Sequence, residues 1–181
     1  MLDATNLPIA LENTRLRLLS ELDADAYATG TKDEAVRRFA HLPEPDYTPE
    51  SVRRMICDEV ATGLSSGTLA VLALADAETD RFVGSVVLFD VCSEAAEVGF
   101  WIHPGARGEG HAHRGLELAS RFARNSGLRT LTARTLPKNK ASQHCLTTAG
   151  FRETGRGVGI TPAGQREELF HYQRDLVTAA Q

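Results

Sequence analysis

Val98-Gly99-Phe100-Trp101-Ile102-His103-Pro104-Gly105-Ala106-Arg107-Gly108-Glu109-Gly110-His111-Ala112 changes structural character within a few turns of chain. The apolar run to Ile102 reads as a strand, and Pro104, which has no amide hydrogen to give to a sheet, closes it. Gly108 and Gly110 tolerate positive φ, so backbone N–H groups in and around residues 107–112 can converge on one point. A helix follows from about Ala112 to Asn125. Its first amides lack intrahelical partners, and the positive end of its dipole lies at the same point. The stretch therefore predicts an anion at the bend, with a phosphate the natural one. Its spacing is neither the dinucleotide G-x-G-x-x-G nor a triphosphate loop ending in G-K-[ST].

Outward from this point, Thr130-Leu131-Thr132-Ala133-Arg134-Thr135-Leu136 alternates as a strand that Pro137 ends. Asn139-Lys140-Ala141-Ser142 opens a helix through Ala149, Gly150-Phe151 follows, and a closing hairpin is expected from Phe151 to about Val158 and from Arg166 to Leu176. Toward the N-terminus, Thr68 to Ala75 and Arg81 to Asp90 read as a hairpin about Asp76-Ala77-Glu78-Thr79-Asp80. Gly84 inside it marks a close approach or a bulge. Glu94 to Ile102 is then the fourth strand, and Arg15 to Leu19, alternating polar and apolar, is the first. Helices are expected at Asp23 to Thr29, Asp33 to Ala40, and from Thr48-Pro49-Glu50-Ser51 to Ala61, with Thr48 as cap and Pro49 in the first turn. Residues 1–13 read as a flexible leader and residues 14–178 as a single domain. This order of elements indicates an α+β fold around a central mixed sheet.

The bounds are those of an ordinary globular chain: 181 residues, 42% hydrophobic and 24% charged. No apolar run reaches the roughly 18 residues a bilayer requires, and the N-terminus has no basic-then-apolar leader, so a cytoplasmic location without membrane association is expected. Three scattered cysteines, Cys57, Cys92 and Cys145, form no C-x-x-C and suggest reduced, mostly packed thiols. A net charge of −4 argues against a nucleic-acid surface. Locally, Arg107, His111, His113 and Arg114 gather positive or potentially positive groups at the loop, and local field outweighs the total there. His111-Ala112-His113 is not read as a metal site, and no metal is expected.

Arg107-x-x-Gly110-x-Ala112 resembles the [R/Q]-x-x-G-x-[G/A] pyrophosphate loop of the GNAT superfamily of acyl-CoA-dependent N-acyltransferases. Asn139-x-x-Ser142 with Gly150-Phe151, together with Thr14-Arg15-Leu16-Arg17-Leu18 and Glu97-Val98-Gly99-Phe100-Trp101, is similar to its RimJ/RimL-like branch, the ribosomal-protein N-terminal acetyltransferases. The resemblance implies a mostly antiparallel mixed sheet of about seven strands flanked by helices and splayed between the fourth and fifth. Acetyl-CoA, or another acyl-CoA, would lie in the splay and pair with the fourth strand at Phe100, Trp101 and Ile102. Its pyrophosphate would rest on Arg107, Gly108, Glu109, Gly110, His111 and Ala112, and Asn139 and Ser142 would complete the cofactor site. The N-terminal helices, with Arg37, Arg38, His41, Glu44 and Tyr47 near their turn, would line the acceptor pocket.

The resemblance also implies direct attack of a primary amine on the thioester, without a covalent enzyme intermediate. Many relatives use a tyrosine four residues before the G-F glycine to protonate the leaving thiolate; here that position is Leu146. Ser142 is the implied substitute, although a serine in a first helical turn also serves as an amide partner. Glu97 is the carboxylate best placed as base, since alternation puts it on one side with Gly99 and Trp101, and an exposed edge residue is the competing reading. Glu167 and Glu168 are weaker candidates. The acceptor stays open among a protein N-terminal amine, an antibiotic, a polyamine and an amino-acid-like metabolite, as does a homodimer. A CoA-binding or sensing module without turnover is the alternative from another class.

Overall fold

The computed structural model describes residues 1–40, 42–161 and 164–176. His41, and residues 177 and 178 at the end of the expected domain, lie outside the described residues. Among the described residues eight strands form one sheet, in the order β1-β2-β3-β4-β5-β6-β8-β7. They are β1 (Ile9–Leu11), β2 (Thr14–Leu18), β3 (Ala70–Asp76), β4 (Phe82–Phe89), β5 (Ala95–Ile102), β6 (Thr130–Thr135), β7 (Arg152–Ile160) and β8 (Arg166–Asp175). Every pairing is antiparallel except β5 with β6. The expected α+β class and mixed sheet are both present.

The helices are α1 (Ala24–Gly30), α2 (Glu34–Phe39), α3 (Pro49–Met55), α4 (Ala61–Ser66), α5 (His111–Asn125) and α6 (Lys140–Thr148). Helix α5 lies on one sheet face, where Leu116, Leu118 and Phe122 join Leu72, Leu74 and Val98 in the larger core. On the other face Tyr27 of α1 and Val52 of α3 pack with Ala73, Phe82 and Trp101. Because both faces are covered, β3 reads as a continuous apolar run instead of alternating. Helix α3 begins as its sequence requires. The Thr48 hydroxyl accepts from the Ser51 amide at 3.1 Å and the Ser51 hydroxyl accepts from the Thr48 amide at 2.9 Å. The helix then runs past the expected Ala61 through one π-helical turn, Ile56–Val60, into α4, which ends at Gly67 with φ of 69°.

Three expectations need correction. Residues 1–13 are not a loose leader: Ala4–Asn6 forms a 3₁₀ turn, β1 pairs Ile9 with Leu16 and Leu11 with Thr14, and Leu2 is buried. A three-residue strand is too short to display alternation, so its partner β2 specifies it, and the sheet gains an eighth strand. The expected splay between fourth and fifth strands consequently falls between β5 and β6. Gly84 serves both proposed purposes: β4 carries an extra residue there, since Leu74 faces Gly84 while Ala75 faces Phe82, and a Cβ on Gly84 would lie 2.4 Å from the Trp101 carbonyl oxygen. Finally, Cys57 and Cys92 are exposed, not packed, while Cys145 is half-buried.

Candidate active site

Strands β5 and β6 pair only at Ala95–Thr130, Ala96–Leu131 and Glu97–Thr132. Beyond Glu97 they part. The amide of His103 donates to the Val83 carbonyl at 2.9 Å, so by the alternation of an antiparallel ladder the N–H and C=O groups of Phe100 and Ile102 point away from β4. They face the gap that β6 has left. A cavity of about 460 Å³ opens there, lined by Glu97, Phe100 and Trp101 of β5, Asn139 and Ser142 at the start of α6, and Tyr27 and Tyr47 from the N-terminal segment.

The loop after β5 follows the sequence reading closely. Gly108 and Gly110 have φ of 83° and 81°. Gly110 caps α5 without any side-chain hydrogen bond, and among the described residues no acceptor takes the amide hydrogens of residues 108–113. Consecutive unpaired amides at a helix N-terminus form an anion site. A Cβ on Gly108 would meet nothing within 4 Å, which leaves the cradle open. This donor set suits a pyrophosphate.

The side chains of that loop behave differently from their amides. Arg107 donates to Asp33 at 2.6 Å, and that hydrogen bond holds the Asp33 carboxyl below its ordinary value despite some burial. Arg114 donates to Glu12 at 2.7 Å and back to the Glu109 carbonyl at 2.7 Å. His111 is corrected most: its ring is buried, with Nδ1 2.8 Å from the Thr14 hydroxyl, so its side chain does not lie at the loop surface. Its Nε2 lies 3.3 Å from a Glu109 carboxylate oxygen without making a hydrogen bond. The imidazole clamps the first residue of α5 to β2, leaving the loop's backbone amides open.

Helix α6 supplies the opposite side of the splay. The Asn139 side chain accepts from the Ser142 amide at 3.1 Å, as a cap should, and thereby fixes the first turn. No partner among the described residues takes the Ser142 hydroxyl, which is half-buried in the cavity wall. Glu97 is not an exposed edge residue. It is half-buried in the same cavity, and Arg134 Nε donates to its two oxygens at 2.9 and 2.8 Å. Burial pushes the Glu97 carboxyl up; Arg134 opposes, and the result stays above the ordinary value. Glu167 and Glu168 line a different cleft, with Arg38 and Lys138. Trp101 packs edge-on against Tyr27, ring centroids 5.1 Å apart, and against Phe82 at 5.7 Å, so its indole belongs to the core while also lining the cavity.

Sequence reasoning missed Arg134, Tyr27 and the π-helical turn. Arg134 occupies the same side of β6 as Thr132, the residue paired with Glu97, and that register was the only signal that could have found it.

The profile described as an acetyltransferase (GNAT) domain matches residues 13–152. The chain belongs to the GNAT acetyltransferase family. No curated protein matches this acetyltransferase in sequence. Among solved structures it is similar to a GNAT-family acetyltransferase from Bacillus anthracis, at TM-score 0.79 and 18% identity, covering 94% of this chain and 99% of the other. It is also similar to Mycobacterium smegmatis RimJ in complex with CoA-disulfide, at 0.77 and 19%, covering 90% and 81%. A third is the Vibrio cholerae spermidine N-acetyltransferase in complex with CoA and spermine, at 0.75 and 17%, covering 91% and 96%. At these identities the likeness is one of fold. Within this GNAT acetyltransferase no helix among the described residues is long and apolar enough to cross a membrane.

Proposed function

We propose that this GNAT acetyltransferase moves an acetyl group from acetyl-CoA to a primary amine, by direct attack of the amine on the thioester, in the manner of the RimJ/RimL branch. The observation that carries the reading is the parting of β5 from β6 just past Glu97, which opens one cavity onto Glu97, Ser142 and the free backbone groups of Phe100 and Ile102. The amides of residues 108–113 hold the pyrophosphate, with Arg107 as a rim contact once it leaves Asp33. The exposed edge of β5 binds the pantetheine arm as an added strand.

Holding amine and thioester together supplies much of the acceleration. The amide of Phe100 or Ile102 donates to the thioester oxygen as negative charge develops on it, a contact whose loss costs about 2.7–4 kcal/mol of barrier. Glu97 takes the proton the amine must lose, directly or through water, and its raised value suits it to that task. The Ser142 hydroxyl hydrogen-bonds the departing thiolate and relays to it a proton that the hydroxyl regains from water; the thiolate needs little help because a thiol ionises near pH 8.5, roughly. Tyrosine is not required. The test is release of free thiol from acetyl-CoA across a panel of amines: amine-dependent release is expected, and CoA binding with release no faster than background hydrolysis for every amine refutes catalysis.

A further inference from the structure

We propose that His111 is a positioning residue for the cofactor: it carries its ring hydrogen on Nε2 and uses it to hold the Glu109 carboxylate away from the diphosphate cradle. This rests on the cradle reading of residues 108–113. Within that cradle one residue is an acid. Glu109 offers an unpaired amide to the anion, yet its side chain bears a charge that repels the same anion. Arg114 is engaged elsewhere, since it donates to Glu12 and to the Glu109 carbonyl at 2.7 Å each. Among the described residues the only side chain paired with the Glu109 carboxylate is His111, with Nε2 3.3 Å away.

That nitrogen stands apart from every other in the molecule. Among the described residues it is the only buried side-chain nitrogen or oxygen without a hydrogen-bond partner. His111 is 1% exposed, so water does not serve in place of a partner, and a buried polar atom left unpaired is destabilising. The other ring nitrogen decides what Nε2 can do. Thr14, itself fully buried, has one hydroxyl hydrogen and two acceptors in reach, His111 Nδ1 at 2.8 Å and the Asn13 side-chain oxygen at 3.2 Å. The shorter contact takes the hydrogen. A neutral imidazole that accepts at Nδ1 bears its own hydrogen on Nε2, the nitrogen beside Glu109. Without ligand, donor and carboxylate lie farther apart than a charge-assisted bond of about 2.8 Å. A diphosphate on the loop amides repels the carboxylate toward the ring and completes that bond. Because Thr14 fixes the ring to β2, the donor stays in place while the Glu109 side chain moves. Occupancy of the cradle thus satisfies the one orphaned atom and removes the one misplaced charge.

The test is a double-mutant cycle on CoA affinity, read by calorimetry of the full chain, where the stoichiometry counts the folded fraction. His111→Phe should raise the CoA Kd about tenfold, because Glu109 is then free to face the diphosphate. Glu109→Gln in that background should recover most of the loss, and alone it should not weaken binding. A ring that merely braces the start of α5 would cost the same affinity in both backgrounds, and that result overturns the inference. Where His111→Phe does not fold, the unaltered chain decides: nitrogen NMR of the imidazole should place the hydrogen on Nε2, and saturating CoA should shift the Nε2 resonance. Hydrogen on Nδ1, or an Nε2 resonance that CoA leaves unmoved, overturns the inference equally. A chain that binds no CoA removes the cradle itself and the inference with it, whereas CoA binding without coupling between the two residues removes the inference alone.

Discussion

Glu97 and Arg134 meet where two strands separate, so the protonation of one carboxyl is governed by burial on one side and a guanidinium on the other. Burial prevails, and Glu97, the proposed base, is unprotonated only above the raised value. kcat/KM should therefore climb with pH along a limb whose midpoint lies above the usual carboxylate range, by about tenfold per pH unit below it. In Glu97→Gln that limb should vanish with a loss of about a hundredfold; a persistent limb would transfer the role to another group. Ser142→Ala should lower kcat by about tenfold or more while leaving the acetyl-CoA Kd within about twofold, because its amide, not its hydroxyl, is what Asn139 fixes. Equal turnover would remove the serine from proton transfer. Both candidates could be read from a local pattern, an alternating strand and a capped helix start. Arg134 could not, since its contact with Glu97 depends on which residue of β6 faces which of β5.

At the scale of the element, the β5–loop–α5 unit shows how far sequence reading reaches. Proline, two left-handed glycines and an uncapped helix start follow from steric rules that need no tertiary context, and all three are in place. The side chains around them needed that context: His111 turns inward only because Thr14 of β2 is there to receive it. Gly110→Asp should raise the CoA Kd severely, by about a hundredfold, because a carboxylate would enter the anion cradle and a Cβ would sit 2.3 Å from an Arg114 nitrogen at a backbone φ of 81°. Calorimetry checks this, and unchanged affinity would refute the cradle.

A different element joint, between β2 and α1, controls stability. Arg17 donates to both oxygens of buried Asp23, at 2.7 and 2.8 Å. Burial alone would raise the Asp23 carboxyl; its bonds to Arg17 and Ser20 outweigh that and hold it below its ordinary value. A depressed carboxyl stabilises the fold above its unfolded-state value, and the contribution disappears as pH falls through the lower, folded one. Asp23→Asn should cost about 3 kcal/mol at neutral pH and less in acid, read from urea midpoints across pH. A cost independent of pH would show that packing, not charge, is what the aspartate provides.

For the molecule as a whole, the question is whether two cores behave as one. The larger lies under α5; the smaller, around Tyr27, Phe82 and Trp101, lies under α1 and α3. They share no face of the sheet, yet they share its strands: Leu72 and Leu74 of β3 enter the first while Ala73, between them, enters the second. Losing either core strips one side of β3 and β4, and a sheet bare on one face cannot keep its apolar run from water. The two should therefore unfold together. Trp101 is the chain's one tryptophan and sits in the smaller core, 7% exposed, so its emission reports that side alone, whereas far-UV circular dichroism follows the whole sheet and the long α5. Urea transitions by the two probes should coincide in midpoint and slope. An earlier fluorescence transition would mean that α1 and α3, which line the cavity, detach from an intact α5-side core. The cavity would then be assembled by a separately unfolding unit instead of being built into the fold.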